Sequence, residues 1–256
     1  MKIGAQLYTL HTLTKTLDAF EECLKKVADI GYTSVQVSGT CPYEPAWLAE
    51  KLKENGLTCD ITHYSYDAIC NNPEKVVEDH KVFGCKYIGL GSMPKLGAME
   101  ADVSAVTEFI KRAKPAAARI AAAGGYFMYH NHHQEFKTFD GKLVMDMLAE
   151  AFAPSEMGFT LDTYWVKYAS HDPVEWLKKL KGRTPCVHYK DMVHLADGTA
   201  HYAPVGTGEL DFDAIIKTSI DMGVEYAFVE QDDCYGEDPF ACLKTSYDYL
   251  TSMGLN

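Results

Sequence analysis

The chain has 256 residues, of which 47% are hydrophobic and 23% charged, a composition that allows a substantial core and disfavours disorder. Acidic residues outnumber basic ones by 36 to 24, giving a formal net charge of −12. An acidic surface repels phosphate backbones, which argues against an enzyme that acts on nucleic acid. A small-molecule ligand is the better expectation.

Eight cysteines are scattered along the chain without a C-x-x-C pair, so we expect reduced thiols and neither a zinc ribbon nor a redox motif. The first residues, MKIGAQLYTL, lack the apolar core of a signal peptide. No segment approaches the roughly 20 apolar residues that a membrane-spanning helix needs. These features predict a cytoplasmic protein that contacts neither membrane nor nucleic acid.

Short β-type runs alternate with amphipathic helical segments along the whole chain. In chain order the runs are KIGAQLY, TSVQVSG, TCDITHYS, KYIGLGS, YFMYHNH, MGFTLDTY, TPCVHYKD and YAFVEQD. Helix starts are predicted where a capping side chain precedes a proline, at Asn72-Pro73, Asp172-Pro173 and Asp238-Pro239. Helix ends are predicted at Gly31, Gly56, Gly84, Gly124 and Gly223. Pro115 predicts a kink or a boundary within the longest helical stretch.

Eight strand and helix repeats predict an α/β fold, a parallel (β/α)8 barrel. No linker, charge run or low-complexity tract divides the chain, so we expect one domain over residues 1–256. The alternative is a doubly wound open sheet. It is disfavoured because the first turn lacks the G-x-G-x-x-G fingerprint and no Walker loop is present.

Polar side chains concentrate at the carboxyl ends of the predicted strands, where barrel enzymes assemble their sites. The residues at these ends are His63, His130, His132, Glu135, Asp162, His188, Lys190, Asp191 and Glu230. Carboxylates and imidazoles that converge on one mouth form a ligand set for Mn²⁺, Mg²⁺, Co²⁺ or Zn²⁺. Any single histidine is more often structural, but Asp162, His188 and Glu230 at the ends of three successive strands together predict a metal site.

Other residues near the strand ends predict substrate contacts. Aromatic faces of Tyr8, Tyr64 and Trp165 can cover the C–H face of a sugar ring, and His63 is expected to bind a hydroxyl. Lys190 is the main basic residue at the mouth, with Lys15 and Lys95 as further candidates. The GTGELDF loop can offer backbone N–H groups to a phosphate. With so few cations, an unphosphorylated sugar is at least as plausible as a sugar phosphate. His133 is expected to point away from the mouth.

The runs TLDTYW, CVHYKD, APVGTGELDF and FVEQD resemble the xylose-isomerase-like TIM barrels over essentially the whole chain. This superfamily holds sugar isomerases and epimerases, inosose dehydratases and endonuclease IV. The stretch HNHHQE, from His130 to Glu135, resembles the HNH-x-x-E stretch of a bacterial sugar phosphate isomerase/epimerase branch. The resemblance implies a metal held by Asp162, His188, Glu230 and an acid from strand five.

The sequence departs from the family pattern at strand five, because many ketose epimerases of the superfamily have a glutamate where His130 aligns. We expect Glu135 to be the strand-five ligand, which leaves His130 or His132 free for proton transfer. The alternative is that His130 replaces the missing carboxylate as a ligand.

This residue set predicts a divalent-metal-dependent sugar isomerase or epimerase, with Mn²⁺ as the expected cation. A divalent ion can bind a carbonyl and its neighbouring hydroxyl and stabilise the enediolate that forms when the adjacent proton leaves. The expected substrate is a keto-sugar, a sugar phosphate or a related polyol. Glu230 is expected to be a ligand and base, His130 or His132 the opposing acid/base, and Lys190 a cation near the substrate oxygens.

Three other functions are compatible with the sequence. The first is a metal-dependent lyase that dehydrates an inosose or keto-sugar, or eliminates the aglycone of a 3-keto-glycoside. The second, from a different class, is a non-catalytic sugar-binding subunit. The third is an enzyme like endonuclease IV, which the acidic charge balance disfavours. The family resemblance alone suggests that the protein forms a homo-oligomer.

Overall fold

Eight parallel strands close into a barrel in a computed structural model that describes residues 1–98 and 101–256. The strands are β1 (Lys2–Gln6), β2 (Ser34–Val37), β3 (Thr58–His63), β4 (Tyr87–Leu90), β5 (Tyr126–His130), β6 (Met157–Asp162), β7 (Cys186–Tyr189) and β8 (Tyr226–Val229). Each strand pairs with its neighbours in the chain, and β8 closes on β1 with Val229 opposite Ala5. The predicted (β/α)8 barrel is confirmed.

Helices cover the outside of the barrel. They are α1 (Leu17–Ile30), α2 (Pro45–Glu54), α3 (Tyr66–Asn71), α4 (Pro73–Val82), α5 (Val103–Ala122), α6 (Val144–Ala151), α7 (Thr163–Tyr168), α8 (Pro173–Lys179), α9 (Phe212–Met222) and α10 (Pro239–Ser252). Short 3-10 helices follow β1 and β5, at Leu7–Leu10 and His133–Phe136. A two-stranded antiparallel ribbon, Asp191–His194 with Ala200–Ala203, follows β7. Among the described residues, none of the helices has the length and apolar character to cross a membrane.

Three helices begin at the predicted prolines, Pro73, Pro173 and Pro239. Asp172 and Asp238 cap their helices, because each side chain accepts a hydrogen bond from a first-turn backbone N–H. Asn72 makes no such side-chain bond. The proline therefore marks the start of α4 without help from the capping side chain.

Helix α5 continues through Pro115, so the predicted helix boundary is wrong. The proline lies on the exposed side of the helix, where water can satisfy the carbonyl that loses its backbone donor. Ala113, Ala116 and Ala117 on the opposite side are buried against the core. This packing holds the helix together across the proline.

The barrel interior changes from apolar to polar along the strands. Its apolar layer consists of Ile61, Tyr87, Met128, Cys186 and Phe228, which form a cluster separate from the core between strands and helices. Its polar layer consists of His63, His130, Asp162, His188 and Glu230 at the carboxyl ends of the strands. Since alternate residues of a strand face the same side, His63, His130, His188 and Glu230 each lie two positions after a member of the apolar layer. All eight cysteines, each within the described residues, are free thiols.

Candidate metal and substrate site

Four members of the polar layer converge at the ends of β5 to β8: His130, Asp162, His188 and Glu230. Each side chain is buried, and each offers one ligand atom within 4.8 Å of the other three. Ligand bonds of about 2.0–2.3 Å place two ligands of one cation up to about 4.6 Å apart, so small side-chain adjustments bring these atoms into range. The four residues therefore fit a single divalent cation.

His130 is oriented by the backbone of the loop after β4. Its Nδ1 lies 3.0 Å from the carbonyl oxygen of Gly91, and its Nε2 lies 3.2 Å from Oδ2 of Asp162. A carbonyl oxygen only accepts hydrogen bonds, so Nδ1 carries the proton. This bond leaves Nε2 facing the cluster, which is the arrangement that metal-binding histidines use.

His188 is held in a similar way by Gln36, whose Oε1 accepts a hydrogen bond from Nε2 at 2.7 Å. The other nitrogen, Nδ1, lies 2.8 Å from Oε2 of Glu230 and 3.8 Å from Oδ2 of Asp162. Burial disfavours the charged ring, but the Glu230 and Asp162 carboxylates outweigh it and raise the pKa of His188 to about 9. The carboxylates attract a positive charge at this point, whether a proton or a metal ion supplies it.

Asp162 combines a structural bond with its place in the cluster. Its Oδ1 accepts the N–H of Trp165 at 2.9 Å and caps α7, which leaves Oδ2 facing His130. Burial raises the pKa of a carboxyl, but the nearby Lys190 ammonium and His130 hold the pKa of Asp162 below its ordinary value. Asp162 therefore carries a full negative charge in a fixed orientation.

Lys190 is a buried cation beside the cluster, with 1% of its surface exposed. Its Nζ lies 2.7 Å from Oδ1 of Asp232, 3.3 Å from Oε2 of Glu230 and 3.6 Å from Oδ2 of Asp162. Burial lowers the pKa of a lysine, but these carboxylates outweigh it and hold the pKa of Lys190 well above its usual value. Asp232 is not among the residues predicted from the sequence, although FVEQD places it two residues after Glu230 and hence on the same side of an extended chain.

A cavity of about 260 Å³ opens over this cluster. Its lining residues are Tyr8, Ser38, His63, Gly91, Ser92, His130, His132, Lys190, Glu230 and Asp232. A larger groove of about 860 Å³ between α8 and the antiparallel ribbon contains none of the four cluster residues. The smaller cavity, close to the roughly 300 Å³ lower end of ligand pockets, is therefore the candidate substrate site.

His63 lies on the wall of the cavity with one nitrogen free. Its Nδ1 lies 3.2 Å from Oγ of Ser38, and its ring centroid is 5.1 Å from that of His130. Its Nε2 is buried and makes no hydrogen bond to any described residue. Burial lowers the pKa of His63, so the ring is neutral. A neutral imidazole with a free nitrogen suits the predicted contact with a substrate hydroxyl.

The other predicted substrate contacts divide into two groups. Tyr8 and His132 line the cavity together with His63 and Lys190. Burial, with His130 nearby, lowers the pKa of His132 to about 3. Trp165 instead packs against His132, with 5.4 Å between ring centroids, and Tyr64 lines an adjacent cavity. These two aromatic residues are outside the lining of the cavity over the cluster.

Glu135 does not reach the cluster, contrary to the expectation that it is the strand-five ligand. The chain turns into a 3-10 helix after β5, and the Glu135 carboxylate bonds Tyr129, a residue of the core between strands and helices. Oε1 accepts the hydroxyl of Tyr129 at 2.6 Å, and Oε2 accepts the N–H of His132 at 2.8 Å. His130 occupies the strand-five position, as in the alternative.

The GTGELDF loop is also organised differently from the expectation. Asp191 Oδ2 accepts the N–H groups of Gly206 and Gly208 at 3.0 and 2.9 Å, and Oδ1 accepts the N–H of Leu210 at 3.2 Å. A Cβ on Gly208 would lie 2.4 Å from Oδ1 of Asp191, so the loop needs glycine there. The donors expected for a phosphate are engaged by a carboxylate of the protein itself.

The remaining candidates lie away from the cavity lining. Lys95 pairs with Glu108 at 3.2 Å, and Lys15 is exposed. His133 packs against the rings of Trp165 and Tyr168 at 5.3 and 5.2 Å.

A family model described as the xylose isomerase-like TIM barrel matches residues 24–238. The chain belongs to this family. The resemblance read from the strand-end motifs is confirmed at the level of the superfamily, and the HNH-x-x-E branch stays a prediction. No functionally curated protein matches the chain.

Solved structures share the fold over almost the whole chain. Two sugar phosphate isomerase/epimerases from Parabacteroides distasonis align with TM-scores of 0.81 and 0.79 at 21% and 24% identity, over 98% of this chain and 93% and 97% of theirs. The probable 3-DHS dehydratase AsbF from Bacillus anthracis aligns with a TM-score of 0.75 at 16% identity, over 98% of this chain and 99% of its own. At sequence identities this low, the structural similarity establishes a shared fold alone.

Proposed function

We propose that this protein is a divalent-metal-dependent sugar isomerase or epimerase. The proposal is carried by the convergence of His130, Asp162, His188 and Glu230 at one end of a barrel, beside a cavity of about 260 Å³. Membership of the xylose isomerase-like family supports it, as do structural neighbours described as sugar phosphate isomerase/epimerases.

A divalent cation held by these four side chains would supply Lewis-acid stabilisation of the negative charge that develops on the carbonyl oxygen of an enolising sugar. The mixed set of imidazole nitrogens and carboxylate oxygens suits Mn²⁺, which we propose as the cation, and also accepts Mg²⁺, Co²⁺ or Zn²⁺.

The side chains around the cavity divide the remaining work. Glu230 removes the proton from the carbon next to the carbonyl, and His132, neutral at pH 7, exchanges a proton with the substrate from the end of β5. Lys190 donates a hydrogen bond to a substrate oxygen. His63 binds a hydroxyl through its free Nε2.

The carbon that receives the returning proton decides the reaction. Return to the same carbon from the other side gives an epimer, and return to the former carbonyl carbon gives an isomer. Expulsion of a leaving group β to the carbonyl gives a lyase. All three share the first proton transfer, so this step is the one to measure.

Solvent deuterium exchange, followed by NMR in D₂O, tests the proposal. The Mg²⁺-loaded protein is mixed with a panel of ketoses, their phosphates, inososes and 3-keto-glycosides, with the chelated protein and the Asp162→Asn variant as controls. We expect metal-dependent exchange at a carbon next to a carbonyl, and the products separate epimerase, isomerase and lyase. Absence of exchange over the whole panel, with metal bound, would contradict the proposal. It would favour the alternative of a non-catalytic sugar-binding subunit.

A further inference from the structure

The cavity over the cluster holds its single basic side chain in ion pairs. Of the described residues that line it, Lys190 is the one lysine or arginine. Its ammonium lies 2.7 Å from Asp232 and 3.3 Å from Glu230, with 1% of the residue exposed. Three N–H groups are the full donor capacity of a lysine, and two of them face carboxylates. Little of this positive charge is left for an anionic ligand.

Carboxylates outnumber that cation on the cavity wall. Both Asp232 and Glu230 line the cavity, and Asp162 lies 3.6 Å from the Lys190 ammonium. Three carboxylates and one ammonium leave two negative charges, which the proposed divalent cation would balance, so a phosphate ester in this cavity would meet no excess of positive charge. Proteins bind phosphate through arginine and lysine side chains or through clusters of free backbone N–H groups.

The backbone donors of the GTGELDF loop, which follows β7, are also engaged. The N–H groups of Gly206 and Gly208 both point at Oδ2 of Asp191, at 3.0 and 2.9 Å. The loop that the sequence suggested as a phosphate cradle is therefore closed on a carboxylate. Neither route to a phosphate site remains open among these groups.

An unpaired polar atom of the site suits a hydroxyl group. Nε2 of His63, a residue that lines the cavity, is buried and has no hydrogen-bond partner within the described chain. It belongs to an uncharged group and can make one hydrogen bond, which suits a hydroxyl of a polyol. A hydroxyl can bind beside Asp232 as a donor, where a phosphate would be repelled.

We propose that the site accepts an uncharged polyhydroxy carbonyl compound, a sugar without a phosphate or carboxylate group, and that Asp232 determines this selectivity. The inference rests on the proposed function, because it names the substrate class of the same site. Asp232 acts in two ways: its carboxylate pairs with the Lys190 ammonium, and its charge disfavours an anionic substituent on the substrate.

The test compares Asp232→Asn with Asp233→Asn in the metal-loaded protein. The two variants make the same side-chain change at adjacent positions, but Asp233 is exposed and outside the cavity lining. Affinities are measured by titration calorimetry for D-fructose, D-tagatose and D-psicose and for their 6-phosphates. Metal content and melting temperature are recorded for each protein.

We expect the wild type to prefer the uncharged sugars by at least about tenfold, since a unit charge a few ångströms away is worth that much at protein surfaces. Asp232→Asn is expected to reduce the preference by about tenfold, and Asp233→Asn to leave it within about twofold. A wild type that binds the 6-phosphates as tightly as the free sugars would overturn the inference, even if Asp232→Asn does not fold. So would an Asp232→Asn variant with normal metal content and an unchanged preference. If neither set binds, the proposed function itself is contradicted.

Discussion

The two layers inside the barrel use the same strands for opposite purposes. Met128 and His130 lie two residues apart on β5, yet the first belongs to the apolar layer and the second to the charged cluster. The same step separates Phe228 from Glu230 at the end of β8. One layer lowers the free energy of the folded state by burying apolar surface. The other concentrates buried carboxylates that need a cation, which costs stability and supplies chemistry.

This contrast predicts that substitutions in the two layers have separable effects. A change in the polar layer should alter metal binding with little loss of fold, and a change in the apolar layer should do the reverse. Asp162→Asn and Phe228→Ala test this separation, and two smaller effects outside it are expected at His80 and Ser38.

The largest effect is expected for Asp162→Asn, which removes a charge from the centre of the cluster. Substitutions that merely misorient a ligand cost about 10- to 100-fold in metal affinity, so loss of a ligand should cost at least about a hundredfold and abolish turnover. Calorimetric titration with Mn²⁺ measures the affinity. Glu135→Gln is the matched control, because Glu135 is a buried carboxylate whose oxygens bond Tyr129 and His132. Equal losses in the two variants would contradict the assignment of the cluster.

The apolar layer is tested by Phe228→Ala. Phe228 is fully buried, and its ring packs where a Cβ on Gly4 would lie 2.6 Å away. Truncation should lower the free energy of unfolding by about 3–5 kcal/mol, the usual cost of a buried phenylalanine. Chemical denaturation measures it, and Phe228→Leu should cost less. Mn²⁺ affinity measured well below the melting temperature should stay unchanged; a large loss would show that the two layers are coupled.

A third prediction concerns His80, a neutral histidine buried outside the barrel. Its Nδ1 donates to the carbonyl of Val76 at 2.7 Å, and its Nε2 accepts from the Thr62 hydroxyl at 2.8 Å. Burial lowers the pKa of His80 to about 4, against about 6.5 in an unfolded chain.

Because the unfolded chain binds this proton more readily, stability is lost as the pH falls from about 6.5 to about 4, by about 3 kcal/mol in total. Denaturation at several pH values should show a shallower decline for His80→Gln than for the wild type. His194→Gln, which changes an exposed histidine, serves as the control. Parallel pH profiles for wild type and His80→Gln would contradict the prediction.

The smallest effect is expected for Ser38→Ala, which removes the hydroxyl beside Nδ1 of His63. Loss of one neutral hydrogen bond is worth about 1 kcal/mol, so kcat/KM should fall about tenfold or less. Ser38 acts through His63, so Ser38→Thr should restore most of the loss. The double variant Ser38→Ala/His63→Gln should be no worse than His63→Gln alone. Additive losses would show that Ser38 has a separate role.

The sequence was sufficient to predict the barrel and most of the polar layer for one physical reason. Parallel strands bring their carboxyl ends to one rim, so His188 and Glu230 meet although 42 residues separate them in the chain. Strand periodicity then decides which side chains point inward. Asp232 could have been predicted in the same way, because Phe228, Glu230 and Asp232 occupy alternate positions of the chain.

Other features depend on contacts that no local pattern contains. The direction of Glu135 depends on a 3-10 turn and on the hydroxyl of Tyr129. The GTGELDF loop folds around the carboxylate of Asp191, 15 residues before Gly206. The helix boundary predicted at Pro115 is wrong because Pro115 is exposed while Ala116 and Ala117 pack against the core, and periodicity does not reveal how strongly that packing holds the helix.

The central claim is that His130, Asp162, His188 and Glu230 form one metal site. Anomalous diffraction from crystals grown with Mn²⁺ tests it most directly. We predict a single strong peak at the barrel mouth, within about 2.0–2.3 Å of one ligand atom from each of the four residues. A peak coordinated by Glu135, or no peak at the mouth in Mn²⁺-saturated crystals, would contradict the account.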